Sequence, residues 1–458
     1  MAVAKPEPSV SYLLGRLAEL PAARRYWVAF SGGLDSTVLL DLLAAEQHAL
    51  GPDRLIAVHI HHGLLPQADE WVAHCRQQAE ARGVPIIVSK LGLVRQTGVS
   101  TEELARQSRY AMFASLLEPG DMLLTAHHQD DQAETLLLQA LRGAGPAGLA
   151  AMPALAPLGQ GWLGRPLLDL SREQLREYAQ RHQLQWVDDA SNVDPAVDRS
   201  YLRSEIMPRL REHWPSAAAT LARSARWCAQ ADAQIEQLLA DELTRRWGAS
   251  GQLDLHGLDA MAQETVAHLL RLWLRRWGAR MLSHQRLQTL MKALLTGRQD
   301  TAPCLRWEGW EVRRYRGQAY LMRALPTWAV DTELVWSDVS QPLALPAEMG
   351  QLQLTPQVGE GLWPDRLQGR LTVRFRGGGE RIRLPNQPHS RTVKNLFQEA
   401  GVPPWHRSRL PLLYVDGVLA AIAYPGDVSK VCWLAADFAS SPTQQSWRLD
   451  WCDAPQFH

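Results

Sequence analysis

The chain has 458 residues, more than one ordinary hydrophobic core organises, so roughly two to four domains are expected. A hydrophobic content of 46% with 21% charged residues excludes a disordered polymer. Forty-eight basic side chains balance 48 acidic ones, which excludes a uniformly basic nucleic-acid coat but leaves room for local basic patches. Lysine is rare (Lys5, Lys90, Lys292, Lys394, Lys430) and arginine abundant. Arginine favours bidentate phosphate contacts and base stacking, and genomic composition bias would produce the same excess. Cys75, Cys228, Cys304, Cys432 and Cys452 are odd in number, widely spread and without a C-x-x-C pair. That usage predicts a reduced, cytoplasmic chain with no zinc or iron–sulfur knot. Met1 to Ser9 lacks an apolar leader, and no run is long enough to span a membrane, so no membrane partner is expected.

In chain order, the first block, about Ser9 to Pro215, alternates short apolar runs with helical patterns. Strands are predicted at Trp27–Phe30, Leu55–Ile60, Pro85–Ser89, Met122–Ala126 and Trp162–Leu168. Helices are predicted at Thr37–Gln47, Ala68–Arg82, Thr101–Leu117 and Asp131–Arg142, with Ser100 as an N-cap before Thr101, Glu102 and Glu103. This alternation predicts an α/β fold, a doubly wound parallel sheet with helices on both faces. Right-handed crossovers would bring the loops after the strands to one edge, so Ser31–Ser36, His59–Gly63 and Thr125–Asp131 should share a crevice. The second block, about Ser216 to Trp328, is mostly helical over Ala217–Leu243, Gln263–Trp277 and Leu287–Leu295, followed by a short hairpin from Leu305 to Leu321. The third block follows a Pro-, Gln- and Gly-rich stretch at Gln341–Gly361 and alternates like β structure at Leu371–Arg376 and Leu412–Leu419, with a short helix at Lys394–Ala400. The expected domains are 1–215, 216–340 and 341–458, the last a small α+β domain made locally basic by Arg374, Arg376, Arg381, Arg383, Arg391, Lys394, Arg407 and Arg409.

Ser31-Gly32-Gly33-Leu34-Asp35-Ser36 stands between a predicted strand and a predicted helix. Unpaired backbone N–H groups at a helix start face an anion, and two glycines let the chain approach it. Ser31 and Ser36 add hydroxyls. Asp35 would repel phosphate unless a cation lay between them, which suggests Mg²⁺. No Walker A lysine is present. The pattern S-G-G-x-D-S after a strand resembles the PP-loop of the N-type ATP pyrophosphatases, which cleave ATP between its α and β phosphates.

A second constellation runs from Thr125 through His127, His128, Asp130 and Asp131 to Glu134, where a strand gives way to a helix. Asp131 and Glu134 are i, i+3 neighbours, and clustered carboxylates repel unless a cationic group joins them. Acidic capping of a helix start accounts for one or two acids but not for a His-His pair beside three. His59 and His61 end another strand; with no third metal ligand in view, an ATP or substrate contact is favoured over zinc. Glu102, Arg106 and Arg109 share a helical face, as an ion-pair ladder or as arginines for a triphosphate. Arg142 to Leu149 reads as a glycine-rich loop beside the crevice or a plain linker. Arg165-Pro166-Leu167-Leu168, Asp189-Ala190-Ser191-Asn192 and Asp198 to Arg203 are weak signals alone.

Taken together in this order, these segments and the C-terminal stretch from Phe397 to Leu413 resemble the tRNA(Ile)-lysidine synthetase family. The likeness spans all three blocks and is most specific over Ser31–Leu210. One departure is Ser200, where the family pattern usually has asparagine after the arginine matching Arg199. The resemblance implies ligation of free L-lysine to a wobble cytidine of tRNA(Ile) with a CAU anticodon, with ATP and Mg²⁺ as cofactors. It implies catalytic Asp35, Asp131, Glu134 and His127, with Asp35 also the Mg²⁺ ligand. ATP would meet Ser31, Gly32, Gly33, Leu34, Asp35, Ser36, His59 and Arg106; lysine would meet His127, Asp131 and Glu134. Arg199, Arg203, Arg374, Arg376, Lys394 and Trp405 are expected on tRNA, and a homodimer is left open. Three other readings compete. A tRNA 2-thiolation enzyme would carry cysteine pairs, an asparagine or GMP synthetase would carry a glutaminase domain, and a non-catalytic tRNA-binding protein would not keep both constellations intact.

Overall fold

The computed structural model describes residues 6–51, 54–61, 68–91, 101–187, 198–279, 281–296, 304–325, 332–347, 349–385, 387–424, 432–441 and 443–454. The chain divides into two compact units, Met1–Ile235 and Glu236–His458. The first opens with α1 (Val10–Ala18), β1 (Tyr26–Ala29), α2 (Leu34–Ala44), α3 (Gln47–Leu50), β2 (Leu55–His61), α4 (Ala68–Glu80) and β3 (Ile86–Lys90). It continues with α5 (Thr101–Leu116), β4 (Met122–Leu124), α6 (Gln129–Leu141), α7 (Pro146–Leu149), β5 (Leu155–Leu158), β6 (Gly161–Gly164) and α8 (Arg172–Arg181). After α9 (Asp198–Tyr201) comes a π-helical turn at Leu202–Ile206, then α10 (Met207–His213) and α11 (Ala217–Arg246), within which the unit boundary falls.

The strands form one six-stranded sheet in the order β3-β2-β1-β4-β6-β5. β1 pairs in parallel with β2 on one side and β4 on the other, so the order of the strands reverses beside β1 and opens a crevice beyond its carboxyl end. β1 and β4 are buried along almost their whole length, which is why they read as continuous apolar runs rather than as alternation. Helices cover both faces: Val28, Val38, Leu39, Leu42 and Leu175 lie in one core, and Trp27, Phe113, Leu123 and Leu163 in the other.

The expected doubly wound parallel sheet is present, extended at its edge by an antiparallel β5–β6 hairpin. One expectation needs correction. The strand expected to run through Leu168 ends at Gly164, since Pro166 offers no N–H to a ladder. The Ser100 cap lies outside the described residues.

The second unit contains more strand than expected. With β7 (Leu253–Asp254), α12 (Gln263–Arg276), α13 (His284–Thr296), β8 (Cys304–Trp307), β9 (Trp310–Tyr315) and β10 (Gln318–Arg323), the hairpin becomes part of a four-stranded sheet, β7-β10-β9-β8. There follow β11 (Leu334–Val335), β12 (Leu343–Ala344), β13 (Gln351–Val358), β14 (Leu371–Arg374), β15 (Arg381–Ile382), β16 (Arg391–Thr392), α14 (Val393–Glu399) and α15 (Pro404–Arg407). β17 (Leu412–Val415), β18 (Val418–Ala423), β19 (Cys432–Leu434) and β20 (Gln445–Cys452) complete it. The run at Leu412–Leu419 is not one strand: Asp416 and Gly417, at φ 49° and 81°, turn it into a β17–β18 hairpin.

The amino ends of β1 and β4 are tied by Asp121, whose side chain is fully buried. It accepts from Arg24 Nε at 3.1 Å, Arg25 Nη2 at 3.1 Å, Trp27 Nε1 at 3.1 Å and the Glu118 N–H at 3.2 Å. Burial opposes its charge, but the Arg25 and Arg24 hydrogen bonds outweigh it and hold the carboxyl below its usual range. Its contribution is therefore present at neutral pH and fades only as pH falls below the ordinary carboxylate range. Asp121→Ala should cost about 3 kcal/mol, read as a lowered urea midpoint with the denaturant slope unchanged.

Candidate nucleotide site and carboxylate cluster

The bend after β1 is built for close approach. Gly32 sits at φ +83°, and a Cβ there would lie 2.8 Å from Cys75 Sγ. Gly33, at the start of α2, supplies no side-chain cap, so the first-turn N–H groups of that helix are left to an anion. Ser36 Oγ lies 3.1 Å from Ser31 Oγ and donates to the Gly33 carbonyl at 3.0 Å. Thr37 Oγ1 donates to the same carbonyl at 2.9 Å. Leu34 is buried, so only its backbone can serve a ligand. Asp35 Oδ1 is buried without a hydrogen-bond partner, which suits a carboxylate awaiting a cation.

His59 corrects an expectation. Its ring is only 5% exposed; Nδ1 lies 2.9 Å from the Phe30 carbonyl and 3.3 Å from Cys75 Sγ. Burial holds it below its ordinary pKa. It braces the floor of the bend rather than presenting itself to a nucleotide. His62 and Gly63 lie outside the described residues, as does Asp189 to Asn192. Among the described residues no group of His, Cys, Asp and Glu has the makings of a metal cluster. Arg106 is exposed on α5, 5.8 Å from the Tyr110 ring; Glu102's side chain lies outside the described residues.

The crevice beyond β4 holds the second constellation. α6 starts at Gln129, earlier than expected, so Asp130 and Asp131 lie in its first turn, and Asp130, Asp131 and Glu134 are all buried. These acids are not free. Arg199 donates to Asp131 Oδ1 at 2.9 Å and Glu134 Oε2 at 3.0 Å. Arg203 donates to Asp131 Oδ1 at 2.8 Å and to both Glu134 oxygens, at 2.8 and 2.9 Å. Arg211 pairs with Asp130, which also accepts from the Arg172 N–H at 2.8 Å. His128 is 1% exposed, its Nε2 3.6 Å from Asp35 Oδ2 and 3.5 Å from Asp131 Oδ2. It therefore links the glycine bend to the acids.

The electrostatics follow from this geometry. Burial would depress His128, but Asp131, Asp35 and Asp130 outweigh it and hold the imidazole above its ordinary value. Burial likewise opposes the charge on Asp131, yet His128, Arg199, His127 and Arg203 hold it well below the carboxylate range. For Arg203 burial is again overcome, by Glu134 and Asp131, and its charge is fixed. Burial drives His127 down to about 3, with Arg165, Arg199 and His128 adding to the effect against Asp131, so it is neutral at any physiological pH. Its Nδ1 lies 2.8 Å from Thr125 Oγ1. Sequence reasoning paired the acids with lysine and the arginines with tRNA; the structure pairs them with each other. Arg199 and Arg203 recur at the i, i+4 spacing that matches the i, i+3 acids, a signal legible in hindsight. Trp405 is a second correction: it is 6% exposed, with Tyr315 and Tyr320 edge-on at 6.1 and 5.4 Å and Arg313 over its ring at 5.4 Å, so no face is open to a base. Lys394 is exposed, Arg374 pairs with Glu333 at 2.9 Å, and Arg376 lies 3.8 Å from Glu380.

Known proteins carry the same plan. A PP-loop domain family matches residues 6–210, so the first unit is the ATP-using module of a PP-loop enzyme, a ligase. A TilS substrate binding domain matches residues 253–320 and a TilS substrate C-terminal domain residues 371–451. A tRNA(Ile)-lysidine synthase of Serratia proteamaculans is 41% identical over 437 residues, covering 94% of this chain and 97% of that one. One from Alkalilimnicola ehrlichii is 44% identical over 429 residues, covering 93% and 95%. One from Xanthomonas campestris is 42% identical over 394 residues, covering 86% and 89%. Among solved structures, the U34-tRNA thiolase NcsA from Methanococcus maripaludis aligns over 48% of this chain and 78% of that chain, with a TM-score of 0.42 and 18% identity. The chain belongs to the tRNA(Ile)-lysidine synthase family. Its chemistry is lysidine formation on a tRNA with consumption of ATP.

The two glycines of the bend make separable predictions. Gly32→Ala should weaken ATP binding at least about tenfold, since it strains a left-handed residue and drives a methyl into Cys75. At Gly33 a Cβ would meet Ser31 Oγ at an ordinary 3.5 Å, so Gly33→Ala should fold and melt like the parent. Any loss of ATP affinity in that variant, measured by calorimetry, reports the approach of the phosphate itself.

Proposed function

We propose that the chain joins free L-lysine to C2 of the wobble cytidine in tRNA(Ile) bearing a CAU anticodon, changing its decoding from AUG to AUA. The observation that carries this reading is the linkage, through His128, of a phosphate-accepting bend to a buried acid cluster in one crevice. The cytosine O2 attacks the α-phosphorus of ATP, the α–β bridge breaks, and diphosphate leaves into Ser31, Gly32, Gly33, Leu34 and Ser36. The lysine amine then attacks C2, and AMP departs with O2 and its electron pair. Asp35 would hold Mg²⁺, which when bound offsets the phosphate charge; a single carboxylate is enough for an ion that takes its other oxygens from phosphates and water.

Lysine arrives mostly as an ammonium, with an unperturbed pKa of about 10.4. Asp131 and Glu134 receive it by exchanging contacts with Arg199 and Arg203. The freed guanidiniums then suit RNA phosphates, so lysine and tRNA binding share one set of charges. Asp131, held as an anion, and Glu134 are the carboxylates placed to meet the ammonium and take its proton, and neutral His127 positions the amine. Domain 1–215 performs the chemistry, and domains 216–340 and 341–458 grip the tRNA through cations such as Arg374, Arg376 and Lys394. Among the described residues no helix is long and apolar enough to cross a membrane, and the reading places the enzyme with the cytoplasmic tRNA pool.

Labelled lysine should enter an isoleucine tRNA transcript with a CAU anticodon, with one AMP released per lysine; AMP release without incorporation would sink the reading. Asp131→Asn should raise the KM for lysine at least about tenfold and leave lysine-independent diphosphate release within a few-fold. Lys394→Ala should reduce the slope of log affinity for tRNA against log salt by about 1.

A further inference from the structure

Arg165 is a buried cation that meets no carboxylate among the described residues. It follows β6 at the carboxyl edge of the sheet and is 8% exposed. Its Nη1 donates to the Pro153 carbonyl at 2.7 Å, Tyr110 on α5 is an electrostatic neighbour, and its Nε is buried without a partner. The neighbouring charge is Arg106, which repels it. A guanidinium in this position is costly unless a ligand brings the counter-charge. It is also held rigidly. Pro166 restricts the backbone of Arg165 to extended conformations, and Leu167 and Leu168 anchor the segment in the core.

We infer that Arg165, assisted by Arg106 and the Tyr110 hydroxyl, receives the α-carboxylate of the incoming amino acid and makes the enzyme select lysine over simple diamines. This rests on the lysine reading above. The shared chemistry is that of an oxyanion, and position selects the carboxylate over a phosphate. The phosphates of ATP have their receptor at the end of β1. β6 lies two strands away in the order β1-β4-β6, about 10 Å at the usual strand spacing. Between them, at the end of β4, sit His127 and the Asp131–Glu134 pair, where the amine is placed. Arg165 and His127 are near enough to interact electrostatically. Lysine's four-carbon stem separates its reacting amine from its carboxylate, so the amine can lie at the acids while the carboxylate reaches Arg165. No other substrate of the reaction bears a carboxylate.

The test compares L-lysine with 1,5-diaminopentane, which keeps the stem and lacks the carboxylate. Wild-type enzyme should use the diamine at least about tenfold less efficiently by kcat/KM. Arg165→Gln should lower kcat/KM for lysine about 10- to 100-fold, leave the diamine unchanged, and leave the KM for ATP within about twofold. Arg165→Lys, which keeps the charge but not the fork, should recover part of the lysine efficiency. Equal losses for lysine and the diamine, or a raised KM for ATP, would overturn the assignment, the latter by naming a phosphate as the anion. L-lysine methyl ester tests wild-type enzyme without any substitution. It should behave like the diamine, and use as efficient as that of lysine would overturn the inference even if both variants fail to fold. Wild-type enzyme that consumes ATP but incorporates no amine at all would instead remove the lysine reading on which the inference stands.

Discussion

Four carboxylates, Asp35, Asp130, Asp131 and Glu134, share one crevice because three guanidiniums and an imidazole lie among them. Without Arg199, Arg203, Arg211 and His128, mutual repulsion and burial would protonate some of the acids or push the helix start apart. With them, each carboxylate has a cationic neighbour. The cluster supplies position and field: Asp131 is held as an anion and His127 as a neutral ring. It also explains why arginine, not lysine, dominates here. Arg203 contacts three oxygens on two residues at once, which a single ammonium on a flexible stem does with less geometric control.

The core sheet was largely legible in the sequence, and for a physical reason. Strands buried on both faces, such as β1 and β4, are unbroken apolar runs, short enough to stand apart from the longer helical stretches between them. The edge was not. β5 spans Leu155–Leu158 and includes Pro157, which argues against a strand until one sees that it lies at the sheet margin, where a missing donor is tolerated. The bend at Ser31–Ser36 was legible because its glycines and its place between strand and helix are local facts. The partners of Asp131 and Glu134 were not, because they come from residues more than sixty positions away. His59 and Trp405 misled for a common reason. Residue type suggested a ligand contact, and only tertiary packing reveals that each ring is already occupied.

The π-helical turn at Leu202–Ile206 belongs to the same account. Such turns widen a helix and occur mostly as single turns, frequently at functional sites. Here it begins one residue before Arg203 and follows the short α9 that carries Arg199. Both guanidiniums converge on one oxygen, Asp131 Oδ1, at 2.9 and 2.8 Å. Two cations donating to one oxygen is a tight demand, met by fitting the backbone to the acids. Ser200 sits between the two arginines, on α9, and makes none of these contacts itself, so the cluster does not depend on which small polar side chain stands there.

Arginine–aspartate chemistry appears at both ends of the central sheet, with different consequences. At the amino edge Asp121 is satisfied four times over by Arg24, Arg25, Trp27 and the Glu118 N–H, and it has no unpaired oxygen to offer a ligand. At the carboxyl edge Asp35 keeps one oxygen buried and unpaired, His128 keeps Nδ1 unpaired, and Arg165 keeps Nε unpaired. Buried polar groups are rarely left in that condition, since each costs about 1–3 kcal/mol. Within the central sheet, these unpaired atoms at the carboxyl end contrast with the full satisfaction of Asp121 at the amino end. A negatively charged substrate group and a cation are species that would satisfy such atoms, and an ATP-dependent reaction on a tRNA brings both.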